Sequence, residues 1–261
     1  MNKDEILRTV SFERRRTLAL LRPLDPAKFD TPTALPGWRI REVIAHLITT
    51  DRAAVTGKIL PQLFRGSTDG LETWNEQQVP RWADRPVPDL LMALDRWGRR
   101  FLRLLRVAPR PLLERRVPTS WGRAPLGLLA WVRAYDEWVH RQDIRRALGL
   151  PDEAVDLAGV GDFLLNAIGY DTPRRLPGRT GAVSVSLEGA PLPEWTYDLG
   201  TGSAGPSQTE PAAARIAAPA PAFIMAAAGR DSFEDLLAQG ALKVEGDQAL
   251  AREFLSKLRI V

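Results

Sequence analysis

Four runs of apolar residues at helical spacing, set between residues 3 and 148 with long connections, constrain this chain more than any other feature. The first carries Leu7, Val10, Leu18, Leu21 and Leu24, and polar Arg14 and Thr17 interrupt it. The second, over about 38–56, carries Ile40, Val43, Ile44 and Leu47; the third, over about 88–107, carries Leu90, Leu94, Trp97, Phe101 and Leu104. The fourth, over about 124–148, has the stripe Leu129, Val132, Asp136, Val139, His140, Asp143, Ala147 and ends at Gly149 and Pro151. Side chains three and four apart share a helix face, and a face this apolar must be buried against its like. Four such helices predict a bundle. Residues 57–87, with three glycines, three prolines and Trp74 and Trp82, read as an irregular connection long enough to be functional, the two tryptophans being candidates to line a lid. A fifth helix over about 154–170 completes a helical domain spanning 1–175.

The pattern changes at residues 171–181, where prolines, glycines and arginines mark a linker. Ala182–Leu187 then alternates as a half-buried strand does, with further strands expected at 194–199, 215–217 and 242–245. Residues 200–212 read as a loop, and 223–228, 233–238 and 248–258 as helices. The expected fold class is mainly α, with a small α+β second domain over 181–261.

Composition narrows the function. The net charge is only +4, and the 36 basic residues are spread among 32 acidic ones rather than gathered on a tail or stripe, so a nucleic-acid partner is not expected. There is no cysteine, which excludes disulfides, thiolate ligands and a catalytic thiol of the chain's own. No apolar run reaches the ~18 residues of a membrane span, and the charged N-terminus lacks a signal-peptide pattern. The expectation is a cytoplasmic monomer or homodimer acting on small molecules.

Only two histidines occur, and both fall on helix faces. Asp136 and His140, at i and i+4, point from one side of the fourth helix and can grip one ion, and His46 on the second helix can complete the set. An open position left for water or substrate would make such a site catalytic rather than structural. Asp143, one turn beyond, is placed to fix the ring of His140. The same residues also fit a core histidine bonded to a neighbouring aspartate.

The run Leu35-Pro-Gly-Trp-Arg-Ile-Arg-Glu-Val-Ile-Ala-His46-Leu resembles the signature of the mycothiol-dependent maleylpyruvate isomerase family, whose N-terminal part is a DinB-like four-helix bundle. The segment Asp136-Glu-Trp-Val-His140 through Gly149 looks like the family's other ligand helix. Gly229-Arg230 through Ala251 is similar to its sterol-carrier-like second domain. The resemblance implies a metal held by His46, Asp136 and His140, usually zinc, with mycothiol as thiol cosubstrate. The family usually has Glu where this chain has Asp136; Glu137 is adjacent but turned by about 100° on the helix.

What the resemblance implies is an S-transferase or isomerase in which a metal-bound thiolate attacks a small electrophile. Asp143 and Arg230 are the remaining candidates for the catalytic machinery, and Arg230 and Arg52 for holding an anionic group of cosubstrate or substrate. Arg133 and Tyr135 lie near the ligand helices, and Trp38 and Trp138 are expected in the core. The alternatives are a non-haem iron enzyme on the same donor set, thiol-independent lyase, hydrolase or cyclase chemistry, and a non-catalytic small-ligand-binding protein.

Overall fold

A computed structural model describes the chain except residues 1, 59–68, 120, 155, 207–210 and 261. It divides into two compact units, 1–152 and 153–261.

The first unit is built on helices α1 (Lys3–Leu21), α2 (Ile40–Val55), α3 (Asp69–Ala83), α4 (Val87–Val107), α5 (Arg110–Glu114) and α6 (Leu126–Ala147). A 3-10 turn (Pro26–Asp30) and a hairpin of β1 (Arg116–Thr119) and β2 (Gly122–Pro125) lie between them. Both α2 and α1 pack against α4 and against α6, so the four long helices close into a ring around one core. That core includes Leu21, Ile40, Ile44, Leu47, Leu90 and Leu94, all with no or almost no exposure. Burying each such side chain contributes roughly 1.5–3 kcal/mol.

Three features of the unit depart from the sequence expectations. The stretch read as irregular contains α3, whose Val79, Trp82 and Ala83 join the core through its C-terminal turn. Pro80 sits in that turn, and its poor helix propensity masked a helix that packing stabilises. Trp82 is therefore a core residue rather than part of a lid, and Trp74 is half-buried. On α4 the buried register runs Leu90, Leu94, Phe101, Leu105, which leaves Leu104 exposed. On α6 the burial is not a stripe: every residue from Glu137 to Ile144 is buried, three charged side chains and His140 among them. A helix enclosed all round must pair its charges internally.

The second unit opens with α7 (Ala158–Arg175), the helix that the sequence pattern grouped with the bundle. It packs instead on a five-stranded sheet. Gly161 makes room for Leu187 and Leu192, Gly169 for Ala204, and the hydroxyl of Tyr197 donates to the Leu165 carbonyl at 3.1 Å. The sheet comprises β3 (Ala182–Glu188), β4 (Trp195–Asp198), β5 (Ala204–Pro206), β6 (Ala214–Pro219) and β7 (Lys243–Gly246), in the order β5-β4-β3-β6-β7. Only β3 and β6 pair in parallel, with Val185 opposite Ile216. Helices α8 (Ala220–Ala227), α9 (Phe233–Ala238) and α10 (Gln248–Lys257) complete the unit. Val183, Val185, Ile216, Phe223 and Phe254 form its interior, where Tyr197 and Phe254 lie 5.5 Å apart. Strand β5 falls inside the segment read as a loop; three residues of Ala, Gly and Pro carry no strand signature, and pairing with β4 creates the strand.

Candidate metal centre

The segment Leu35-Pro36-Gly37-Trp38 is a type II turn: Trp38 N–H donates to the Leu35 carbonyl at 3.0 Å, Pro36 fixes the first central position, and Gly37 takes the second at φ +75°. Two residues later α2 starts, with Glu42 accepting from the backbone N–H of Arg39 at 2.7 Å. The turn thus delivers both Trp38 and, two helical turns on, His46. From α6 come Asp136 and His140.

Among the described residues, His46, Asp136 and His140 bring one ligand atom each within 4.8 Å of one another. Nε2 of His46 lies 3.4 Å from Oδ2 of Asp136, and Nε2 of His140 lies 3.3 Å from Oδ1. The two imidazole centroids are 4.8 Å apart, and the indole of Trp38 covers both, at 5.4 Å from His46 and 6.2 Å from His140. Nδ1 of His140 is 2.9 Å from Oδ2 of Asp143. A proton held in that contact leaves the Nε2 lone pair facing Asp136, the tautomer a metal ligand needs. Nδ1 of His46 is buried without a hydrogen-bond partner.

A chain of ion pairs runs from this cluster into the bundle. Arg133 donates to Asp136 and, from Nε, to Oδ1 of Asp51 at 2.9 Å. Oδ2 of Asp51 accepts from Nη2 of Arg14 at 2.7 Å. Arg14 also binds both oxygens of Glu137 through Nε at 3.0 Å and the Leu94 carbonyl through Nη1 at 2.6 Å. Beside it, Arg141 pairs with Glu13 at 2.5 Å. Residues from α1, α2, α4 and α6 therefore meet in one buried polar seam.

The carboxylates of Asp51, Asp136 and Glu137 face the guanidinium groups of Arg14 and Arg133, and that of Asp143 faces the imidazole of His140. Burial disfavours a charged His140, but Asp136 and Asp143 outweigh it and push the imidazole up to about 9. For His46 burial prevails over the attraction of Asp136 and holds the ring below its usual range. Burial also opposes the charge on Asp136, yet His46, Arg133 and His140 together keep its carboxyl well below the ordinary carboxylate range. Two imidazoles and an ionised carboxylate, with a carboxylate behind one ring, fit a divalent ion such as zinc.

The other residues singled out from the sequence are distributed differently. Asp143 is at the centre, behind His140. Glu137 turns away from the His46–Asp136–His140 cluster to grip Arg14. Trp138 is buried in the core, but Trp38 lies against the two imidazoles. Arg52 is half-buried on α2, six residues past His46 and so turned by about 240° from it. Arg230 belongs to the second unit, where its Nη1 donates to the Ala228 carbonyl at 2.9 Å. Arg14 and Asp51 were not among the candidates; the signal for Arg14 was its place on an apolar helix face.

Comparison with known proteins agrees with this architecture. Residues 10–145, more than half of the chain, match the family model for the mycothiol maleylpyruvate isomerase N-terminal domain, and residues 170–258 match the SCP-2 sterol transfer family. The crystal structure of the mycothiol-dependent maleylpyruvate isomerase is similar with a TM-score of 0.60 at 16% identity, over 89% of this chain and 91% of that one. A histidine-to-alanine mutant of that enzyme is similar with a TM-score of 0.60 at 15% identity, over 94% and 93%. No curated protein sequence matches the chain. Among the described residues, no helix is long and apolar enough to cross a membrane.

Proposed function

The chain belongs to the mycothiol maleylpyruvate isomerase family, and on that premise we propose that it is a metal-dependent enzyme that uses mycothiol to isomerise, or to transfer the thiol to, a small electrophilic substrate. The observation that carries the reading is the convergence of His46, Asp136 and His140 from helices far apart in sequence, with Asp143 behind one imidazole. His46, Asp136 and His140 would hold a divalent ion, zinc being the ion this donor set suits. Such an ion supplies the positive charge that lets a thiol ionise at neutral pH, and the chain, having no cysteine, needs that thiol from outside.

The chain's own groups then do three things. Asp143 keeps the proton of His140 on Nδ1, so the ring stays neutral and correctly turned when the site is filled. Trp38 covers one side of the imidazole pair and keeps water from it. Arg230 binds an anionic group of substrate or cosubstrate, a role in which Arg→Ala raises KM more than it lowers kcat. The same two histidines and one carboxylate also suit non-haem iron, and metal identity separates the two readings.

The deciding experiment is the metal content of full-length protein purified without added metal, compared with His46→Ala and His140→Ala, followed by turnover of electrophiles with and without mycothiol. Near-stoichiometric zinc lost in both variants, with turnover that requires the thiol, is the expected result. Wild type that takes up no metal even after zinc addition would overturn it.

A further inference from the structure

The two oxygens of Asp136 meet different neighbours. Oδ1 stands opposite Nε2 of His140, whereas Oδ2 stands opposite Nε2 of His46 and accepts a close hydrogen bond from Nη1 of Arg133. The Arg133 side chain is 4% exposed and cannot turn freely. Its Nε is fixed to Asp51, and Nη2 reaches the Leu47 carbonyl at 3.4 Å. Asp51, 1% exposed, is held from its other oxygen by Arg14, which is anchored in turn on Glu137. Each member of this series is gripped at two or more points.

We propose that Arg133 is a positioning residue for the centre: it occupies Oδ2 of Asp136, so that Oδ1 is the oxygen presented to a cation between the imidazoles, and Asp51 sets Arg133 for that task. The inference rests on the metal reading above. A free carboxylate binds a metal through one oxygen or through both, and the two modes differ in coordination number and in the charge delivered. A guanidinium on Oδ2 excludes the two-oxygen mode and holds Oδ1 in place before an ion arrives, so that binding need not order the carboxylate. The planar fork is essential here, because it spans Asp51 and Asp136 at once; the single ammonium of lysine does not.

Zinc and cobalt(II) titrations of chelator-stripped full-length protein test this, with Arg133→Lys and Asp51→Asn beside wild type. Arg133→Lys keeps the buried charge and loses the fork. It is expected to weaken zinc binding about tenfold, at the lower end of what outer partners contribute. It should also lower the visible absorption of the cobalt(II) form, as a released Asp136 binds through both oxygens and raises the coordination number. Asp51→Asn does not touch Asp136, yet should move both readouts in the same direction by less. A residue that served the fold alone would lower the melting temperature and leave zinc affinity and cobalt spectrum at wild-type values, and that outcome overturns the proposal. Should Arg133→Lys fail to fold, Asp51→Asn decides by the same two readouts. Wild type that binds neither ion refutes the metal reading itself. Wild type that binds zinc, and loses it in His46→Ala, leaves that reading intact whichever way the Arg133 result falls.

Discussion

Gly98, in the middle of α4, should resist replacement by alanine although a helix interior normally welcomes it. The change gains roughly 1 kcal/mol in helix propensity. Against this, a Cβ at position 98 would lie 2.6 Å from Nη1 and 3.1 Å from Cζ of Arg14. The guanidinium would have to retreat by roughly 0.8 Å to restore van der Waals contact. A surface arginine would do so at little cost, but this one is pinned by Leu94, Asp51 and both oxygens of Glu137. Nη1, the atom that meets the new Cβ, is also the donor to the Leu94 carbonyl, so its retreat puts that bond at risk, and a hydrogen bond to a charged group is worth about 1.5–3 kcal/mol. The net expectation for Gly98→Ala is a destabilisation of about 0.5–2 kcal/mol. That corresponds to a melting temperature lower by roughly 1–8 °C for a unit of this size. Thermal melts and urea titrations by circular dichroism measure it. A variant that melts higher by the full propensity gain would refute the reasoning, because it would mean that Arg14 is free to move and the seam is not rigid.

Asp143→Asn should weaken zinc binding by about 10–100-fold, read by competition with a chromophoric chelator, because the neutral amide cannot hold the His140 proton as the carboxylate does. Metal-free protein should be most stable near pH 6.5–7. His140, raised to about 9, contributes stability that is complete below about 6.5, on the order of 3 kcal/mol, and is lost as pH rises toward 9. His46, lowered by burial, costs stability as pH falls below the unfolded value. Melts of chelator-treated protein across pH 5–10 should therefore fall on both sides, and His140→Gln should flatten the alkaline limb; an unchanged limb would refute the assignment. Tyr197→Phe should cost about 1 kcal/mol by chemical denaturation, the value of its bond to Leu165, and no more, because that carbonyl lies within α7.

The bundle and the Asp136–His140 pair were legible in the sequence because each depends on local spacing; His46 was set beside that pair by the family resemblance, and the structure brings the three side chains together. Period-3.6 stripes survive as helices wherever they find a partner, and an i, i+4 Asp–His pair points one way on any helix. What supports the trio was not legible, because it depends on which helices become neighbours. Arg14 and Thr17 stand out as polar interruptions of an apolar face, but nothing in α1 says that a guanidinium there will meet Asp51 from α2 and Glu137 from α6. Glu137 illustrates the limit well: helix rotation correctly sets it apart from the ligands, and only packing reveals the arginine it faces. Trp38 was hidden for a related reason. Its neighbours in the chain belong to a turn, and its place against the imidazoles comes from the φ of Gly37 and from the start of α2. Helix α3 escaped because Pro80 and three glycines spoke against it, and the burial of Val79 and Trp82 outweighed them.

The seam of arginines and carboxylates has a consequence for anyone who would transplant this centre. Three residues can be copied onto another bundle, but their carboxylate would arrive without the Arg133–Asp51–Arg14 series that steadies it. A graft that succeeds would have to carry portions of four helices, including α1, which contributes none of the three. A change at position 14 or 51 would leave Arg133 held at fewer points, so the orientation of Asp136 depends on residues that do not touch it.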